Sequence, residues 1–215
     1  MQDFKEYTIW NAVTPVAVTS STDATPIVVT ATSHGFSTGD LVMISGHTTN
    51  IAANGIFKIT KLTANTFSLQ NYNTGADVAG SGSGSGSSGV VVAAPKIVFA
   101  QDYDSAILEI ATSGTATMTV KVLGAQGKVD SYRTQHGDTP NFGATLSPSN
   151  NYSYVQSILL ADNSAVDGAT GIVVAGTDVA NSYEININHM KYLTLNITSW
   201  SAGAITAKLT VYKED

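Results

Sequence analysis

Residues 34–46, HGFSTGDLVMISG, and residues 54–69, NGIFKITKLTANTFSL, decide how this chain is read, because together they spell turn, strand, hairpin and strand. Gly39-Asp40 predicts a turn feeding a mostly buried strand, Leu41-Val42-Met43-Ile44. Asn54-Gly55 is a dipeptide suited to the positive φ angles of a tight turn. After it the chain alternates, with Phe57 and Ile59 on one face and Lys58 and Thr60 on the other. Phe67 and Leu69 repeat that spacing beyond a second turn at Ala64-Asn65. These are the marks of a small β module.

Working outward, the chain divides into three zones. Residues 1–25 form an arm bearing Phe4, Tyr7 and Trp10, followed by Pro15 and a Val/Thr/Ser-rich stretch. Such an arm either adds an edge strand to its own domain or reaches another subunit, and its three aromatic residues are the candidate interface. Residues 26–93 hold the small module and end in a Gly/Ser tract from Gly80 to Gly89. Free in solution, ten such residues would span roughly 17 to 19 Å. The tract is read as a mobile loop inside the module, returning through Val90-Val91-Val92, with an interdomain linker as the alternative.

Residues 94–215 are a succession of strand-like runs. Met118, Val120 and Val122 alternate with Thr117, Thr119 and Lys121. Tyr183, Ile185 and Ile187 do the same, as do Leu193, Leu195 and Ile197, and then Ile205, Ala207, Leu209 and Val211. With Ile97-Val98-Phe99, 106–110, 157–160 and 172–174, this makes about eight short strands, the density of a sandwich. The expected fold class is all-β: a small barrel-like or hairpin module plus an antiparallel, jelly-roll-like β-sandwich. Residues 124–154 break the rhythm and read as a long loop. Its Tyr132, Phe142, Tyr152 and Tyr154 are the candidate ligand or contact set, since aromatic faces stack on sugars as well as pinning loops.

Composition bounds the function. Apolar residues make up 43% of the 215, enough to fill a core, but charged residues only 12% against a typical ~25%. A surface of Thr, Ser, Asn and Gly suits either a protein packed against neighbours, where each buried charge carries a desolvation cost, or a secreted β protein with a Thr-rich solvent face. The net charge is −6 and Arg133 is the lone arginine, so no phosphate-tracking surface is expected and no nucleic-acid partner. No run approaches the ~20 apolar residues of a membrane span, and the first ten residues do not read as a secretory signal. Cysteine is absent, which rules out disulfides and thiolate metal sites.

No catalytic constellation emerges. His34, His47, His136 and His189 sit in unrelated contexts, none with a partner at metal-ligand spacing, and His34 reads as a turn residue. The acidic residues are scattered and fit no calcium loop. The expectation is a protein that is not an enzyme and uses neither cofactor nor metal. Trp200 reads as a packing residue before a final hairpin turned at Ser201-Ala-Gly-Ala204.

The run His34-Gly35-Phe36-Ser37, Gly39-Asp40, Val42, Ser45-Gly46, Asn54-Gly55, Phe57, Ile59 and Ala64-Asn65-Thr66-Phe67-Ser68-Leu69 resembles a β module of tailed-bacteriophage virion proteins, named after a half-domain of the ubiquitin-activating enzyme. Residues 96–213 are more loosely similar to β-sandwich domains of phage structural proteins. The resemblance implies a building block of a virion and no ubiquitin chemistry, there being no cysteine for a thioester. It implies a capsid decoration or head-fibre-type subunit, with a tail, collar or baseplate component or a carbohydrate-binding receptor module as alternatives. The partners implied are capsid, collar or tail proteins, further copies of the chain, and a host-surface glycan. The location implied is the virion, after synthesis in the host bacterial cytoplasm.

Overall fold

The structure is a computed structural model and describes residues 3–82, 84–86, 88–125, 153–187 and 190–213. The fold is all-β: the described residues form sixteen strands in two antiparallel sheets, with one single-turn 3-10 segment at Ile51–Ala53. Strand β1 (Asp3–Val13) belongs to the large sheet. The next seven build the small one: β2 (Val16–Val18), β3 (Ser20–Ser21), β4 (Val28–Thr30), β5 (Leu41–Ser45), β6 (Gly55–Lys61), β7 (Thr66–Asn71) and β8 (Gly89–Ala93), in spatial order β2-β8-β5-β6-β7-β4-β3.

That order makes the small sheet roll up. Its two outermost strands, β2 and β3, are separated in sequence by Thr19 alone, so opposite edges of the sheet must meet. Ile27, Val29, Val42, Ile44, Phe57, Ile59, Phe67, Leu69 and Val91 fill the interior. Along β5 and β8 the intervening side chains, Met43, Val90 and Val92, point the other way and join the core of the large sheet. Both faces of these strands are buried, which is why their sequences are unbroken apolar runs rather than alternating ones.

One local expectation is corrected here. Asn54-Gly55 does not form a tight hairpin turn: Asn54 has φ −86° and ψ 129°, and Gly55 opens β6. The longer loop is closed by the Asn54 side chain, whose Oδ1 accepts from the His47 N–H at 2.9 Å while its Nδ2 donates to the His47 carbonyl at 2.7 Å. The Gly/Ser tract connects β7 to β8 inside the small sheet, as the loop reading has it, and several of its described residues are hydrogen-bonded to neighbouring segments. Gly82 and Gly84 donate backbone N–H groups to the two carboxylate oxygens of Asp23, at 3.0 and 2.9 Å. Gly86 and Ser21 exchange backbone hydrogen bonds. Glycine is required because the chain lies so close to its neighbours: a Cβ on Gly86 would stand 2.5 Å from both His47 Nδ1 and Ser21 Oγ.

His34 is buried at the turn before β5, stacked on Phe36 and edge-on to Phe67. Its Nδ1 accepts from the Phe36 N–H at 3.0 Å, so Nε2 carries the proton and donates to the Thr63 carbonyl. His47 differs. It is 4% exposed, and neither ring nitrogen has a hydrogen-bond partner among the described residues. Burial disfavours its cation and lowers its pKa. The unfolded chain therefore binds the proton more tightly than the native one, so stability is complete above the ordinary imidazole value of about 6.5 and declines as pH falls below it. Urea midpoints at about pH 7.5 and about pH 5 should show this loss, and His47→Leu should reduce it.

The large sheet contains β1 and eight further strands: β9 (Val98–Phe99), β10 (Ser105–Ala125), β11 (Ser153–Tyr154), β12 (Ser157–Leu159), β13 (Ser164–Val166), β14 (Ile172–Thr177), β15 (Ala180–Asn186) and β16 (Tyr192–Lys213). Its main path runs β1-β16-β10-β15-β12-β13. The alternating residues named from sequence do face the core: Met118, Val120, Val122, Tyr183, Ile185, Leu193, Leu195, Ile197, Ile205, Leu209 and Val211 are all buried.

The number and length of strands are not as expected. Residues 106–110 and 115–123 are parts of one 21-residue strand, and the expected final hairpin at Ser201-Ala-Gly-Ala204 is no hairpin, because β16 runs through it for 22 residues. Gly114 and Gly203 take φ of 69° and 88°, and the β10–β16 register slips between Ser113 and Thr117. Glycines at these points are bulges, which bend and twist a strand without ending it. One half of β10 pairs with β15 and the other with β14, while β16 follows it along the opposite side.

Candidate functional site

The aromatic residues of the arm have three different fates. The arm is β1, paired antiparallel to β16 from Asp3↔Lys213 to Val13↔Ile205, so it forms the edge of its own sheet. Trp10 is 2% exposed in the large core and its Nε1 donates to the Ala93 carbonyl of β8 at 3.0 Å. It is removed from the candidate interface, since its ring and its polar handle are both used inside the chain. Tyr7 is half-buried, with Lys5 and Lys96 ammonium groups 5.3 and 5.0 Å from its ring centre. Phe4 alone stays open, 64% exposed, its ring centre 6.3 Å from that of Tyr212. Of the long-loop set, Tyr132, Phe142 and Tyr152 lie outside the described residues. Tyr154 sits on β11 opposite Leu123, with the Lys121 ammonium 4.6 Å from its ring.

Cross-strand register assembles a surface that no local stretch reveals. Residues directly opposite each other in a sheet point to the same face. One row therefore runs Glu6, Thr210, Ile107, Glu184, Ile158 across β1, β16, β10, β15 and β12. On one side of it lies the row Phe4, Tyr212, Ser105, Asn186, and on the other Thr8, Lys208, Glu109, Ser182. The intervening residues Leu108, Tyr183, Leu209 and Val211 are buried on the reverse side, so these three rows form the outer face.

Two grooves mark that face. The first, about 420 Å³, is lined by Phe4, Glu6, Ile107, Glu109, Thr210 and Tyr212. The second, about 440 Å³, is lined by Tyr154, Val155, Gln156, Ile158, Glu184, Asn186 and Met190. Three of the four glutamates of the chain are on this one face, answered by Lys208, which reaches Glu6 at 3.1 Å. Both partners of that pair are exposed, 41% and 48%, so water screens it and it adds little stability. Among the described residues there is no cluster of three His, Cys, Asp or Glu side chains suited to a metal ion. What the face can do chemically is accept hydrogen bonds and stack planar or apolar groups on its rings.

The edge of the sheet is the second exposed element. Among the described residues β1 is paired on one side only, and from Asp3 to Thr8 its register is unbroken, so six residues present a regular edge. Beyond Thr8 two register shifts, flanking Trp10, distort the strand. Irregularities of this kind blunt an edge against further pairing. Sequence pattern marked the arm but not the grooves, because Glu6, Glu109 and Glu184 lie up to 178 residues apart and only strand register brings them together.

No protein-family profile and no curated protein sequence matches the chain. Neither comparison identifies the virion module in residues 26–93. Among solved structures, the chain is similar to the SPBc2 prophage-derived protein YomS, at 11% identity and a TM-score of 0.36, over 55% of this chain and 80% of that one. It is also similar to the PBSX exported protein XepA, at 10% identity and a TM-score of 0.36, over 98% of this chain and 82% of that one.

Proposed function

We propose that this protein is a structural subunit of a tailed-bacteriophage particle, of the capsid-decoration or head-fibre type, that works by association and performs no bond chemistry. The observation that carries this reading is the position of β1 at the edge of the large sheet, with no second partner strand among the described residues and Phe4 exposed beside it. An edge strand with unpaired N–H and C=O groups is a template for pairing with a second copy or a neighbouring virion protein. Phe4, at 64% exposure, supplies the apolar anchor that such contacts place at their centre. The low charge content and the module-like residues 34–69 support the same reading.

The test follows from the open position of Phe4. Phe4→Ser removes an exposed ring and should leave the melting temperature within about 2 °C, since surface changes alter stability by only about 0.5 kcal/mol. Association should weaken by about thirtyfold, the effect of losing a ~2 kcal/mol anchor. Light scattering reports the mass of the purified protein, and co-sedimentation with capsids or with tails reports which part of the particle it joins. Full binding by Phe4→Ser would remove β1 as the contact. Turnover of any bond, abolished by replacing a single Asp, Glu or His, would overturn the structural reading itself.

A further inference from the structure

The geometry points to a binding site for a neutral oligosaccharide on the outer face of the large sheet, seated across the groove of Phe4, Glu6, Ile107, Glu109, Thr210 and Tyr212 and continuing toward Glu184 and Asn186. This site shares Phe4 with the β1 edge, but Glu109 and Tyr212 belong to the groove alone and separate the two.

A pyranose has two chemical sides, an apolar face of C–H groups and a rim of hydroxyls. Phe4 and Tyr212 sit on adjacent strands with ring centres 6.3 Å apart and planes inclined by 32°, so together they offer a continuous, slightly cupped aromatic platform. Glu6 and Glu109 line the same groove, with Thr210 beside them. An ionised carboxylate accepts hydrogen bonds only and has two oxygens, which suits it to two neighbouring sugar hydroxyls, while a threonine hydroxyl both donates and accepts. The row continues to Glu184 and Ile158 in the second groove, four strand spacings from β1, or about 19 Å at ~4.8 Å each. That length fits an oligosaccharide rather than a single sugar.

The same residues select against other occupants. Cores of protein–protein interfaces are depleted in glutamate and serine, yet here Glu6, Glu109, Glu184, Ser105 and Ser182 lie in the rows of the face itself. Three carboxylates against the Lys208 ammonium repel nucleic acid and acidic glycans. An uncharged polyol satisfies the carboxylates with hydroxyl donors and covers the rings at no electrostatic cost.

Titration of the full-length protein with cellohexaose, maltohexaose and chitohexaose at millimolar concentration, followed by calorimetry and by tyrosine ring signals in NMR, tests the site. At least one of the three should bind and shift the Tyr212 resonances. Glu109→Gln and Tyr212→Ala should each weaken that binding at least tenfold, with Tyr212→Phe restoring it if the ring is what matters. Glu109→Gln should leave particle association unchanged, which separates this site from the β1 edge. Binding to none of the three, or binding unaffected by both Glu109→Gln and Tyr212→Ala, overturns the inference. Capture of an oligolysine peptide that displaces the sugar and is lost in high salt would overturn it in favour of a basic protein segment.

Discussion

Trp10→Ala is expected to destabilise the protein by about 3 to 5 kcal/mol, the cost of emptying a large buried aromatic site. The indole lies in the core of the large sheet at 2% exposure, while its N–H is bonded to the Ala93 carbonyl of the small one, so the substitution damages both lobes at once. The carbonyl left without its donor adds about 1 kcal/mol if water does not replace it. For a domain of this size the melting temperature should fall by roughly 6 to 20 °C. Trp10→Phe keeps most of the ring and loses only the hydrogen bond, and should recover most of the loss. A melting temperature unchanged in Trp10→Ala would mean that the arm does not sit in the core. The same reasoning bars removal of the whole arm as a test of association, since a truncated chain would fail for want of Trp10 before any contact was probed.

Gly203→Ala is expected to cost about 2 to 4 kcal/mol, for two reasons that add. Its φ of 88° is a conformation that strains any residue with a Cβ, by about 1 to 3 kcal/mol. A Cβ there would also lie 2.6 Å from the Ala116 Cβ and 2.7 Å from the Ala116 Cα, and a backbone atom in a paired strand cannot swing aside. Gly114→Ala is the control. Gly114 has φ 69° but no neighbouring atom within 4 Å of where an added methyl would lie, so it should show the strain without the clash. Equal losses for the two variants, measured by urea unfolding, would show that β16 can shift at its bend and that the close approach to β10 is not fixed.

These two residues also show where reading from sequence ends. The alternation of Met118, Val120 and Val122, and of Leu209 and Val211, fixed which side chains face inward, because burial on one face of a strand imposes a period of two. Alternation is silent about how far a strand continues through a glycine. Gly114 and Gly203 read equally well as turns, and only the paired partner strand decides for a bulge. Asn54-Gly55 misled for a related reason: a dipeptide competent for a tight turn was used instead as a side-chain clamp on a longer loop. The aromatic residues of the arm were visible, but their separation into a buried Trp10, a half-buried Tyr7 and an open Phe4 depends on the partner strand and on β8. The grooved face was invisible, since its members come from both ends of the chain and its middle.

The pairing of Asp3 with Lys213 has a mechanical consequence. Points near the two ends of the described chain lie side by side on neighbouring antiparallel strands, so a tensile load applied between them acts across the hydrogen bonds, not along them. Such a load parts β1 from β16 one rung at a time, each yielding before the next is stressed, and never recruits the ladder as a whole. A pull between the midpoint of β10 and either end of the chain would instead have to shear many rungs together. If the molecule bears force in a particle, a contact spread along the length of β1 shares the load among its rungs, whereas a tether at each end does not.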